Sequence, residues 1–358
     1  MSTACRAAVL VVAMLCAAAP LRAQRLDWTL RATLYGDNTE FFTPYRTGQT
    51  VLGGQVATWL GAAATERVTL RVGAFADRRW GSEEFTDSLK PILSARYQTS
   101  HGLGVIGTLE TVRRHGLLDP LMISLRELTT PIEYGLQWRE RRAWLDAEAW
   151  INWQQLNTPE QREGFEVGAV VTARATRLLT LEAQHLWSHR GGQLYDAGVP
   201  VTNNRVTALG IGVADSVPLV RHGGVQAFGI WSEGHLDPAY PAERPSGGHG
   251  LWLRGEVNPW PHWSLFAIHW RGTDFEAAAG DPNYGSVGQA PGFYRAERRY
   301  WELGAMRRVG VADEGVSFDT EVRLHRIDDE DSVAFFGTPW ELSYRIVLRV
   351  PMGAVLRR

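Results

Sequence analysis

The feature that most constrains this chain is a two-residue alternation of apolar and polar side chains, repeated in segments about ten residues long. Between 143 and 153, Ala143, Leu145, Ala147, Ala149, Ile151 and Trp153 alternate with Trp144, Asp146, Glu148, Trp150 and Asn152. Val316, Phe318, Thr320, Val322 and Leu324 alternate with Ser317, Asp319, Glu321, Arg323 and His325. Leu342, Tyr344, Ile346, Leu348 and Val350 alternate with Ser343, Arg345, Val347 and Arg349. A period of two puts each class on its own face of a strand. The same test along the chain gives about sixteen candidate strands, at 26–36, 50–60, 67–77, 91–99, 103–112, 131–140, 143–153, 163–173, 178–187, 204–214, 224–232, 249–258, 262–271, 298–309, 315–326 and 341–350. Most are longer than the usual globular strand and have the length of a tilted bilayer-spanning one.

The connections strengthen this reading. Asp37 to Gln49, Arg78 to Lys90, Arg113 to Thr130, Ser188 to Asn203, Glu233 to Gly248, Gly272 to Glu297 and Ile327 to Trp340 are long. Between them come shorter links such as Ser100-His101-Gly102, Arg141-Arg142, Arg174 to Arg177 and Pro259-Trp260-Pro261. Long and short alternate, as in a transmembrane barrel with tight turns on one side and external loops on the other. A propeller or sandwich has no reason to place every long loop at one end.

Composition removes other classes. Lys+Arg number 37 against 39 Asp+Glu, a net charge of -2, so no basic field exists for nucleic acid. A mean hydropathy of -0.20 excludes a multi-helix membrane protein. It does not exclude a barrel, whose apolar residues are diluted by alternation. Met1 to Ala23 reads as a signal peptide: Arg6, an apolar Ala7 to Ala19, and a cleavage site at Leu21-Arg22-Ala23. Both cysteines, Cys5 and Cys16, lie in that segment, so the mature chain has no disulfide.

With strands, loop alternation and signal in place, residues 24–358 resemble bacterial outer-membrane β-barrels of the porin type. The resemblance is architectural and rests on no family motif. It implies one all-β domain, an antiparallel up-and-down transmembrane barrel of about sixteen strands in a Gram-negative outer membrane. Its surroundings would be outer-membrane lipid and lipopolysaccharide, with homo-oligomerisation left open and no cofactor or metal. Such proteins usually end on an aromatic residue, whereas this chain runs from Val350 to Arg358 without one.

In such a barrel the polar face lines the lumen. That set is Arg71, Glu110, Glu133, Arg139, Asp146, Glu148, Glu166, Glu182, Arg254, Glu256, Glu302, Arg308, Asp319, Glu321, Arg323, His325, Arg345 and Arg349. Asp146, Glu148, Glu166 and Glu182 would form an acidic sector facing basic Arg323, Arg345 and Arg349, which would orient small polar solutes. The alternative is a lattice of ion pairs that stiffens the interior. Trp144, Trp150 and Trp252 on the same face could stack sugar rings. Trp28, Trp59, Trp138, Trp153, Trp187, Trp231, Trp263, Trp270, Trp301 and Trp340 sit near strand ends, as interfacial girdles do. Arg113 to Thr130 is apolar for a loop, with Leu117, Leu121, Met122 and Leu125 at helical spacing. It occupies the position of the loop that narrows general porins.

The expected function is passive passage of small polar solutes, without catalysis. The alternatives are a barrel hydrolase acting on lipid or peptide, and a plugged structural or adhesion barrel. The hydrolase candidates are His185, Ser188 and His189, and His325 near Asp328, Asp329 and Asp331. No HExxH, paired CxxC, P-loop or GxSxG pattern accompanies them.

Overall fold

The structure, a computed structural model, describes residues 25–195, 201–216, 221–234, 245–290, 292–311, 315–327 and 339–357. The signal segment Met1 to Ala23 and the Asp328, Asp329 and Asp331 loop lie outside the described residues. Sixteen strands follow in chain order: β1 (Arg25–Phe42), β2 (Thr47–Ala63), β3 (Val68–Arg79), β4 (Ser88–Gln98), β5 (Gly102–Thr108), β6 (Tyr134–Arg141), β7 (Leu145–Gln155), β8 (Glu163–Arg174), β9 (Leu179–Gly191), β10 (Thr202–Asp215), β11 (His222–Glu233), β12 (Gly247–Asn258), β13 (Trp263–Thr273), β14 (Glu297–Val311), β15 (Val316–Ile327) and β16 (Trp340–Arg357). Each pairs antiparallel with its sequence neighbour. β1 closes on β16 with Thr33 opposite Arg349 and Asp37 opposite Arg345. Closure leaves no sheet edge to satisfy in hydrocarbon.

The alternation decides which face is which. On β10, Leu209, Ile211 and Val213 are about half exposed on the outer wall, while Val206 and Ala208 are buried inside. Trp138, Trp153, Trp231, Trp301 and Trp340 are exposed near strand ends, as interfacial residues should be. Trp59 and Trp270 break that expectation. Their parity turns them inward, where both are buried. Trp144 also departs from its expected lumen position. It precedes β7 in the short connection and is 58% exposed.

The interior is not an open bore. Leu117, Leu121, Met122 and Leu125 of the loop after β5 are buried. The first three join Trp150, Phe228, Trp252, Phe266 and Trp270 of the wall in one apolar cluster. Phe275, Ala279 and Tyr284, from the loop between β13 and β14, complete it. The loops are tied together, Ile123 N–H donating to Ala279 C=O at 2.7 Å and Asp281 N–H to Asp119 C=O at 2.9 Å. An apolar loop leaves water only if it finds a surface to cover. Here that surface is the inner wall, so two long loops plug the barrel.

Candidate active site

Alternation also places the chemistry. On β14, Tyr300 and Glu302 share the inward face, and Glu302 stands opposite His325 of β15. One strand further, Arg323 stands opposite Ser343 of β16, so Ser343 lies diagonal to His325. The result is a continuous chain of groups. Ser343 Oγ lies 2.7 Å from His325 Nε2. His325 Nδ1 meets the Tyr300 hydroxyl, which donates to Glu302 Oε2 at 3.0 Å. A proton on Nδ1 satisfies every member: Ser343 donates to Nε2, Nδ1–H donates to Tyr300, and Tyr300 donates to Glu302. The ring is fixed from the side by Phe41, edge-on at 4.8 Å between centroids. A hydroxyl, a base and an orienting acid in sequence form the constellation of nucleophilic catalysis.

Cations surround the chain. Arg323 Nη1 lies 2.9 Å from Glu302 and 3.2 Å from Asp119 of the plug. Arg345 pairs with Asp37 at 2.6 Å and donates to Ser124 Oγ at 3.2 Å. Arg46 pairs with Asp281 at 2.6 Å. Burial raises the Asp119 carboxyl, but Arg114 and Arg323 outweigh it and hold the group at about 2. Asp281 goes the other way: burial pushes it up despite Arg46. These contacts latch the plug to β15, β16 and the connection between β1 and β2. Asp119→Ala would leave Arg114 and Arg323 without their shared carboxylate. It should cost roughly 3–5 kcal/mol in urea unfolding.

The space beside Ser343 is small, about 20 Å³, room for about one water. A larger substrate therefore enters only when the plug shifts.

A second buried imidazole sits across the plug. His115 is stacked on Trp150 at 3.9 Å, contacts Glu148 and reaches Glu133 at 3.2 Å. It follows Arg113 and Arg114, and all three residues have φ between 50 and 58°. Left-handed backbone costs a non-glycine residue roughly 1–2 kcal/mol, so surrounding contacts must hold this turn. Burial lowers the His115 pKa, but hydrogen bonds and charges from Glu133 and Glu148 overcome it and leave the group raised. A raised pKa stabilises the fold fully below the unfolded value, and that gain disappears as pH climbs through the folded value. The thermal midpoint should therefore fall as pH rises above 6.5, the ordinary imidazole value, and fall less in His115→Gln.

The expected lumen residues do face inward, but they are paired. Arg71 and Arg139 share Glu110, and Arg139 also binds Glu148. Arg126 of the plug takes Glu166 at 2.7 Å and lies 3.9 Å from Glu133. Arg254 pairs with Glu256, while Arg308 and Arg349 share Asp319. Arg323 holds Glu321. Asp146 meets Arg141 at the rim, and Glu182 accepts from Gln184. Two opposed, open sectors are therefore not what the interior holds; the ion-pair lattice is. Trp150 and Trp252 are sealed in the apolar cluster, and Trp144 is outside, so no aromatic track forms.

Space remains in the short-turn half, a chamber of about 560 Å³. Trp59 forms part of its wall, with Arg31 and Arg71 over the ring at 5.0 and 5.2 Å. Seven arginines line the chamber against four carboxylates.

Of the expected hydrolase residues, His185 and His189 face outward, bonded to Thr207 and Asn203. Ser188 lies between them in parity and faces inward. A spacing of three on a strand cannot make that pair. His325 alone acquires catalytic neighbours. Sequence reading missed Ser343, Tyr300 and His115 as site residues. Ser343 and Tyr300 carried the right parity but no motif. Among the described residues no group of three or more His, Cys, Asp and Glu could hold a metal ion.

Comparison with known proteins places this geometry. OprD of Pseudomonas aeruginosa matches with a TM-score of 0.50 at 12% identity, covering 92% of this chain and 94% of that one. OccAB2 of Acinetobacter baumannii matches at 0.49 and 10% identity, covering 92% and 98%. The likeness to OprD is one of fold, a closed sixteen-strand antiparallel barrel. No curated protein matches the sequence. A family model described as lipid A 3'-O-deacylase-type matches residues 18–356. That enzyme family overturns the expectation of a chain without catalysis: the chain belongs to the lipid A 3'-O-deacylase-type family.

Proposed function

We propose that this barrel hydrolyses an acyl ester of a phosphorylated outer-leaflet glycolipid of the lipid A class, with Ser343 as nucleophile. The observation that carries the reading is the 2.7 Å Ser343–His325 contact, backed by Tyr300 and Glu302. Ser343 Oγ attacks the ester carbonyl while His325 Nε2 takes its proton. His325 returns that proton to the leaving sugar oxygen as the C–O bond breaks. Water, deprotonated by the same imidazole, then releases the fatty acid and restores Ser343. Arg323, Arg345 and Arg46 lie around the pair and favour the developing negative charge. Export through Met1 to Ala23, residence in the outer membrane and contact with lipopolysaccharide belong to the same reading. The test is mass spectrometry of lipid A after incubation with the full-length protein in detergent. Loss of one acyl chain supports the reading, and an unchanged lipid overturns it.

The chamber favours a second reading, passage of small polar solutes. Its 560 Å³ and charged lining suit a hydrated solute. The apolar plug stands in the way, so this reading requires the two loops to withdraw from the wall.

A further inference from the structure

The outer wall holds one arrangement that neither catalysis nor passage uses. Arg271 of β13 and Arg299 of β14 stand directly opposite each other. Trp270 and Tyr300, their neighbours in sequence, are fully buried, so both arginines point away from the barrel and are exposed. Like charges directly opposite on one sheet face are destabilising. Among the described residues neither arginine has an ion-pair partner. The contrast on the same barrel is Arg205, which stands opposite Glu233.

Depth identifies what could lie between the guanidiniums. One pleat toward the barrel's middle, His269 stands opposite Trp301 and Trp301 opposite Arg326. One pleat further, Ala267 faces Leu303 and Leu303 faces Leu324, and the wall is apolar. The two arginines therefore sit at the long-loop end, just above the apolar band, at headgroup level. Glu297 shares the face two residues beyond Arg299, opposite Thr273.

We propose that Arg271 and Arg299, with Arg326 beside them, bind a phosphate of an outer-leaflet phosphorylated glycolipid on the outer wall. The phosphate bridges two guanidiniums that otherwise repel. The attached sugar meets the Trp301 ring, and the acyl chains lie on the leucine band below. A free phosphate would gain nothing from the ring or the band. This site is on the opposite side of the wall from Ser343 and does not depend on hydrolysis.

The test is co-elution of full-length protein in detergent with bisphosphorylated lipid A and with its dephosphorylated form. The wild type should hold the phosphorylated lipid at least tenfold more tightly. Arg271→Gln/Arg299→Gln should lose that preference, while Arg205→Gln and His325→Ala keep it. Equal binding of the two lipids by the wild type would overturn the proposal without any variant. So would an undiminished preference in the double variant, or full displacement of the lipid by millimolar inorganic phosphate, which would mark a free-anion site. Loss of acyl hydrolysis in His325→Ala with binding intact keeps this proposal separate from the catalytic one.

Discussion

Replacing His325 with alanine should lower acyl release from lipid A by roughly a thousandfold or more, since the hydroxyl then has no base. The imidazole lies within hydrogen-bonding distance of both Ser343 and Tyr300. Ser343→Ala should cost a similar factor, and the double variant little more, because members of one relay are not additive. Tyr300→Phe keeps the ring and its packing but removes the link to Glu302. It should lower the rate less than His325→Ala. Because Tyr300 is a positioning residue, its loss should shift the pH profile as well as the rate. Each variant can be checked for folding by heat-dependent migration in gels. Comparable rates in wild type and His325→Ala would remove the nucleophilic mechanism.

The second large effect concerns the plug. Leu121 is fully buried among wall residues, so Leu121→Asp places a carboxylate inside an apolar cluster. That cost runs to several kcal/mol unless the loop leaves. The variant should show a steady planar-bilayer conductance well above the wild type, whose apolar cluster blocks the bore. Leu121→Ala, which leaves a cavity worth roughly 2–5 kcal/mol, should give intermediate flickering. A wild type already conducting as strongly as Leu121→Asp would mean that the loops do not seal the barrel. It would then favour solute passage over hydrolysis.

The barrel was legible because hydrocarbon allows few solutions. A period of two, repeated in ten-residue segments with long and short links, has little else to become. All sixteen expected strands exist, but several run further than the pattern. β1 continues through Asp37, Asn38 and Thr39 to Phe42, where the wall rises past the apolar band and alternation fades. The first plug loop could be read from Leu117, Leu121, Met122 and Leu125. The second could not: Phe275 and Tyr284 are separated by Gly, Pro and Asn, and no period links them. The pairing of Ser343 with His325 depends on register between β15 and β16, which no local pattern encodes. Conversely, the failure of His185 with Ser188 was readable, since an odd spacing sends two strand residues to opposite faces. The charged side chains on the polar parity of the strands turn inward. Their neutralisation by Arg126, His115 and Glu127 was not visible, because those partners arrive on a loop.

One measurement bears most directly on the claim that a plugged barrel carries a hydroxyl–imidazole site for lipid. It is the mass of lipid A recovered after incubation with the wild-type protein and with Ser343→Ala. The account predicts one acyl chain lost with the wild type and none with Ser343→Ala. Identical masses from the two incubations, whether both shortened or both intact, would contradict it.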